Sequence, residues 1–142
     1  MEKIKNVVSG GLYWIDFKEF RLPEWGNAPN GKPHLAVIYK VNHFNREEMF
    51  LALPITSNDA YHRNYGNQTI HRLYGIRHEE KRHYVLLNHA RTISKGRILK
   101  QFTIDQKKVV LSYKELKSLR KAYLLYLTFY LTKPILKLEE SY

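Results

Sequence analysis

The sequence predicts a mainly β domain with a C-terminal helix, folded as a small, partly open barrel of the SH3-like sort. Five or six short apolar segments separated by turn residues predict strands, and one late segment has helical spacing. With 142 residues, 44% of them hydrophobic, the chain is long enough for one core without cross-links. We therefore expect a single domain over residues 1–142, with the barrel at about 7–104, the helix at about 112–132 and a short tail at 133–142.

The strands are predicted from runs of β-branched, aromatic and aliphatic residues between turn signals. The first follows the Gly10-Gly11 break and covers residues 12–17. A long loop rich in proline, glycine and asparagine follows over residues 20–32, and loops of that length are usually functional or disordered. The other predicted strands are residues 34–41, 49–55, 69–73 and 83–87, with a weak one at 98–103.

The helix is predicted from a capping signal and a regular apolar face. Ser112 and Glu115 match the S-x-x-E capping box, in which the serine oxygen accepts from an exposed amide of the first turn. Pro134 is expected to end the helix, because the residue before a proline disfavours helical backbone. Beyond Ala122 the segment is apolar all round, so either both sides are buried or one face receives a partner. The predicted inner face consists of Leu116, Leu119, Tyr123, Tyr126 and Tyr130.

The charge is strongly basic and concentrated late in the chain. Lys and Arg number 24 against 13 acids, a net charge of +11. Between residues 81 and 121 only Asp105 and Glu115 oppose the cations, which are Lys81, Arg82, Arg91, Lys95, Arg97, Lys100, Lys107, Lys108, Lys114, Lys117, Arg120 and Lys121. Such a stretch suits nucleic-acid phosphates, whose neutralisation releases counterions. The same charge also fits a merely solvated surface or an acidic partner protein.

Several classes of protein are excluded or disfavoured. The chain has no cysteine, which excludes disulfides and thiolate metal sites and fits a reducing cytoplasm. The seven histidines show no metal-ligand spacing, so we expect no metal and no cofactor. The sequence contains no P-loop, dinucleotide fingerprint or G-x-S-x-G elbow. We expect no signal peptide and no membrane-spanning segment, and therefore a cytoplasmic protein without a membrane partner.

Three polar segments are candidates for chemistry. Lys32 and His34 flank Pro33, which favours extended backbone, so their side chains are expected on one side of the chain. Thr56 and Ser57 end an apolar strand with hydroxyls that suit phosphate oxygens. The third segment, residues 86–97, is a strand that runs into amide and cationic side chains. Each segment also fits an ordinary loop, turn former or basic turn.

Taken together, the order and spacing of these segments resemble one family. The chain has a glycine and an aromatic-rich strand with an aspartate in residues 11–17, a basic-residue-proline step before an apolar strand in 31–38, a P-I-T-S corner in 54–57 and an R-T-I-x-K-x-R signature in 91–97. This pattern, over about residues 7–131, is similar to that of bacterial toxins of the MazF/PemK type. The fold would then be the MazF/PemK barrel, related to that of CcdB.

The resemblance implies a homodimeric endoribonuclease that cuts single-stranded RNA at short motifs without metal and is held in check by a cognate antitoxin. The chemistry is attack of a ribose 2′-hydroxyl on the adjacent phosphate, which needs a proton acceptor, a cation and a proton donor. We predict Lys32, His34 and Thr56 as catalytic residues. The predicted RNA-binding residues are Ser57, Asn88, His89, Arg91 and Arg97.

The sequence departs from the family pattern at two positions. Lys32 stands before Pro33, where the family has an arginine, and lysine is a point charge instead of a bidentate fork. Asn88 replaces a frequent acid and cannot act as a base, which makes His34 the best candidate for proton transfer. Two alternatives remain open: a degenerate module of the same fold that binds nucleic acid without cutting it, and a toxin that inhibits a protein such as a DNA topoisomerase.

Overall fold

The structure is a computed structural model that describes residues 6–16, 33–41, 48–57, 68–78 and 81–140. Side chains are described within these ranges except at 41, 77–78 and 130–140. Two short 3-10 helices, Leu87–His89 and Lys95–Arg97, flank one strand. The strands are β1 (Leu12–Ile15), β2 (His34–Val41), β3 (Met49–Thr56), β4 (Ile70–His78), β5 (Lys81–Leu86), β6 (Arg91–Ser94), β7 (Ile98–Gln101), β8 (Thr103–Ile104) and β9 (Lys107–Lys108), and the helix is α1 (Tyr113–Glu140).

Seven strands form one antiparallel sheet in the order β4-β5-β3-β2-β1-β7, and β6 also pairs with β3. Strand β3 is the branch point. Its residues 49–54 pair with β2, its residues 49–52 pair with β6, and only Ile55 and Thr56 pair with β5. Among the described strands β4 and β7 are not paired, so the sheet does not close. The predicted partly open barrel is confirmed.

We call β1, β2, β6, β7 and residues 49–54 of β3 the barrel half, and β4, β5 and the end of β3 the wing. The inner side of the barrel half holds one buried apolar cluster, formed by Tyr13, Ile15, Ala36, Ile38, Phe50, Ala52, Ile93 and Ile98. The other side of the sheet, with residues from both halves, packs against Leu119 of α1. The two clusters follow from strand alternation, which sends successive side chains to opposite faces.

The helix begins as predicted and continues further than predicted. The amide of Glu115 donates to Ser112 Oγ at 3.2 Å, which confirms the serine cap. Leu119 is fully buried, and Leu116, Tyr123 and Tyr126 pack against the core beside it. The predicted end at Pro134 is wrong. A proline removes one intrahelical hydrogen bond but has a helical φ, so a helix already many turns long continues past it.

The outer side of α1 is exposed between Ala122 and Phe129. Leu124, Leu125 and Phe129 are 54%, 57% and 40% exposed, whereas Tyr123 and Tyr126 on the inner side are half-buried. Of the two possibilities that the sequence left open, the structure therefore shows one buried side and one exposed apolar side.

The predicted strands are present, with changed bounds and two additions. Strand β2 has the predicted bounds, whereas β4 extends to His78 and β1 ends at Ile15. The segment predicted at 98–103 is divided at Phe102 into β7 and β8. Strands β6 and β9 were missed because four and two residues are too short to show a hydrophobic period. The long loop predicted at 20–32 lies outside the described residues.

Candidate active site

Two of the predicted catalytic residues lie where the ladder between β2 and β3 ends, a point that we call the fork. The ladder between β2 and β3 ends at the pair Ala36–Pro54. Beyond that pair β2 is still paired with β1, and His34 lies opposite Ile15. Strand β3 is paired with β5 there, and Thr56 lies opposite Tyr84. His34 and Thr56 each lie two residues past the last pair, so alternation places both on the same face of the sheet. They lie on neighbouring strands beyond the fork.

His34 is half-buried at the start of β2. Burial lowers the pKa of His34 below its ordinary value of 6.5, because a partly apolar environment disfavours the charged imidazolium. At neutral pH the ring is therefore neutral and has a nitrogen lone pair to accept a proton.

Thr56 begins a row of side chains that crosses the wing. Thr56 pairs with Tyr84 of β5, and Tyr84 pairs with Arg72 of β4, so all three project from one face. Tyr84 is fully buried, Thr56 is nearly so, and Arg72 is half-buried at the outer end. Ser57 follows Thr56 and is half-buried at the end of the strand. The row combines a hydroxyl, a phenol and a guanidinium.

The two predicted arginines lie at different places in the barrel half. Arg97 ends the second 3-10 helix, where its carbonyl accepts from the amide of Asp16 at 2.9 Å. Asp16 directly follows Ile15, the partner of His34, so Arg97 is at the same end of the sheet as the fork. Arg91 lies in β6 opposite Ala52, and its Nη1 donates to the carbonyl of Ala90 at 3.0 Å. Alternation along β3 puts Arg91 on the face that carries Thr56.

Asn88 and His89 are located apart from the fork. Both belong to the first 3-10 helix, which contacts β3, β4 and α1. Asn88 is exposed and His89 is buried. Continuing the register of β5 past Leu86 puts this turn beside the middle of β3 and not beside Thr56. Lys32 lies outside the described residues.

Sequence reasoning missed two features of the wing. Arg72 stands two residues before Tyr74, and its guanidinium carbon lies 4.6 Å from the centre of the Tyr74 ring. That i, i+2 spacing of a cation and an aromatic in a strand was the available signal. Glu115 matches the S-x-x-E capping pattern, and in the structure its Oε1 accepts from the amides of Tyr74 and Gly75 at 2.6 and 3.1 Å. A contact between residues about forty positions apart cannot be predicted from the local spacing of residue types.

Within the described residues, no group of three or more histidine, aspartate or glutamate side chains is arranged to hold a metal ion. In the same part of the chain, no helix is long and apolar enough to cross a bilayer.

Comparison with known proteins identifies the family. The model of the PemK-like, MazF-like toxins of type II toxin–antitoxin systems matches residues 9–122, from the start of β1 through the first turns of α1. A search of curated proteins finds no match. The matched range contains β1 to β9, the fork and the wing, and it covers well over half of the chain. The chain belongs to the family of PemK-like, MazF-like toxins of type II toxin–antitoxin systems.

Proposed function

We propose that this toxin is a metal-independent endoribonuclease that cleaves single-stranded RNA by attack of a 2′-hydroxyl on the adjacent phosphate. The observation that carries the proposal is the position of His34 and Thr56 on either side of the fork and on one face. A proton acceptor and a hydroxyl that donates to a phosphate oxygen are two of the groups that this reaction requires of the protein.

In the proposed reaction His34 accepts the proton of the 2′-hydroxyl, and the resulting oxygen attacks phosphorus. The bond to the 5′-oxygen of the next nucleotide breaks, and that oxygen takes up a proton from solvent water, leaving a 2′,3′-cyclic phosphate. Thr56 donates a hydrogen bond to a phosphate oxygen, and Lys32 offsets the negative charge that develops there. Asn88 takes no part in proton transfer, because an amide does not titrate near neutrality.

RNA is expected to bind through the cationic side chains of the second half of the chain. Arg97 beside the fork and Arg91 on the Thr56 face are the first candidates, with Ser57 contacting phosphate at the strand end. His89 is buried and would support the turn that presents Asn88. Because phosphate contacts release counterions, affinity should fall steeply with salt. Unchanged affinity between low and physiological salt would refute the electrostatic contribution.

Membership of a type II toxin family implies an antitoxin partner. We propose that the antitoxin is acidic where it covers the RNA groove, since the chain carries a net charge of +11. We further propose that the toxin acts as a homodimer in the cytoplasm.

The decisive experiment incubates the purified chain with a long single-stranded RNA in EDTA. Cleavage at discrete sites with cyclic phosphate ends supports the proposal. Activity that is lost in EDTA and restored by magnesium would refute metal independence. A gel shift without cleavage would favour the non-cutting binding module.

Two variants with matched controls test the assignment of residues. His34→Ala should slow cleavage by about 10²–10⁴-fold, and Thr56→Val by about 10²–10³-fold. Both variants should still bind a 2′-deoxy substrate that cannot be cut. His71→Gln and Thr103→Val are the controls: His71 is a half-buried histidine on the opposite face of the wing, and Thr103 is exposed in β8. The acidic limb of the wild-type rate profile should lie below pH 6.5, and wild-type activity of His34→Ala would refute its role.

A further inference from the structure

The outer end of the Thr56 row carries an exposed aromatic ring held by a cation. Tyr74 is 60% exposed, although large aromatic side chains usually bury most of their surface. The Arg72 guanidinium lies over this ring, which shows that both side chains project from the same side of β4. That side carries Thr56 and Tyr84 as well.

The backbone of β4 beneath the Tyr74 ring is held by a side chain of α1. The ladder between β4 and β5 is irregular between Leu73 and His78, and the amides of Tyr74 and Gly75 donate to Glu115 Oε1. A carboxylate that accepts two amides is a charge-assisted anchor. The backbone that carries the ring is therefore already ordered, so less conformational entropy is lost when a ligand binds to the ring.

The Arg72 guanidinium also carries two amino groups beyond its buried Nε, and these are the donors that a ligand can contact. Its Nε is buried and has no hydrogen-bond partner in the described part of the protein. A guanidinium offers five donors in a planar fork, which matches a phosphate or the edge of a base.

We propose that Tyr74 and Arg72 form a binding subsite for one unpaired nucleotide of the RNA, with the base stacked on Tyr74 and Arg72 contacting its phosphate or edge. The inference rests on the proposed endoribonuclease function. β4 is two strands from β3, a separation of about 10 Å between Thr56 and Arg72. A nucleotide at this subsite is therefore a neighbour of the scissile phosphate and not the reacting one. Stacking of splayed bases on aromatic rings is the usual means of recognising single-stranded RNA.

The test compares ring-retaining and ring-removing variants. Tyr74→Phe should keep the affinity for a single-stranded 2′-deoxy oligonucleotide, whereas Tyr74→Leu should lower it by roughly 5- to 150-fold, the range for the loss of one stacked base. Tyr113→Leu is the control, because Tyr113 is a tyrosine that is 81% exposed but belongs to α1 and not to the strands of the row. Arg72→Gln should also lower the affinity for this oligonucleotide, because it removes the guanidinium from the subsite.

Cleavage sites on a long RNA, mapped for each variant, give a second measurement. Tyr74→Leu should cut with relaxed site choice and a higher KM, at a kcat close to that of the wild type. If the wild type cuts RNA but Tyr74→Leu and Arg72→Gln bind and cut as it does, the subsite is refuted and the endoribonuclease stands. An equal loss in Tyr113→Leu would also refute the subsite. If the wild type neither binds nor cuts RNA, the proposed function itself fails.

Discussion

The barrel half and the wing use the same antiparallel pairing for different purposes. The barrel half encloses a cluster whose members are almost fully buried, and its strands pair in regular register, apart from one shift beside Ile15. In the wing the ladder is irregular after Leu73, polar and cationic side chains share the strands with apolar ones, and one carboxylate fastens the edge. Both halves contain fully buried residues, and the wing differs from the barrel half in its less regular pairing and in the exposed Tyr74 ring.

The largest expected effect is the loss of stability when a buried ring of the barrel half is removed, compared with removal of the exposed ring of the wing. Phe50 is 1% exposed in the barrel cluster and lies opposite Ile93, so Phe50→Ala should cost about 3–5 kcal/mol of unfolding free energy. Tyr74→Ala in the wing should change stability by no more than about 0.5 kcal/mol, since the ring is exposed. Urea unfolding of both variants measures the difference. Equal losses would show that the Tyr74 ring is packed as a core side chain and is not exposed.

A smaller effect is expected at the anchor of the wing. Glu115→Ala leaves two amides without their charged acceptor and should cost about 1–3 kcal/mol. Gly75→Ala should weaken the same contact, because an added Cβ would lie 2.5 Å from Glu115 Oε2. Hydrogen exchange should accelerate at Tyr74 and Gly75 while the barrel amides keep their protection.

The matched acid for this experiment is Glu48, whose carboxylate lies 4.0 Å and 3.7 Å from the ammonium groups of Lys40 and Lys95 at the surface. Glu48→Gln should change stability by less than about 1 kcal/mol, as is usual for exposed pairs. A loss as large as that of Glu115→Ala would show that general charge balance, and not the anchor, is responsible.

The hairpin β8–β9 belongs to neither half. A substitution in its turn should change the stability of the protein but not RNA cleavage. Asp105 and Gln106 have φ of 50° and 67°, a left-handed backbone that costs ordinary residues about 1–2 kcal/mol each. Gln106→Gly should therefore stabilise the protein by about 0.5–1 kcal/mol, after the larger entropy loss of glycine on folding. Thermal unfolding measures the gain, and RNA cleavage should not change.

The smallest expected effect is a pH dependence shared by the two halves. Burial lowers the pKa of His34 at the fork and of His71 in the wing below 6.5, with nearby Glu115 partly raising that of His71. Below pH 6.5 the unfolded chain therefore binds more protons than the folded chain. The contribution of these two histidines to stability is complete above pH 6.5 and is lost as the pH falls through their lowered pKa values. Titration by NMR should show both shifts, and Glu115→Gln should lower the pKa of His71 further. A pKa above 6.5 at His34 would contradict its burial.

Sequence reasoning predicted the barrel half better than the wing, and the reason is physical. β2 and β3 are nearly continuous apolar runs, and such runs identify buried strands locally. The polar corner at Thr56 was also predicted locally, because the apolar run of β3 ends there in hydroxyl side chains. The row from Thr56 to Arg72 depends on register between strands, and the anchor at Glu115 depends on tertiary contact. Neither is encoded in local spacing.

The anchor at Glu115 also bears on how the protein behaves in crowded solution. β4 is at the end of the strand order, and the backbone amides of such a strand can recruit a strand from another molecule. Glu115 occupies two of these amides with a charged group, which another strand would have to displace. The first turn of the helix thus removes two donors from those that β4 could offer to a strand of another molecule.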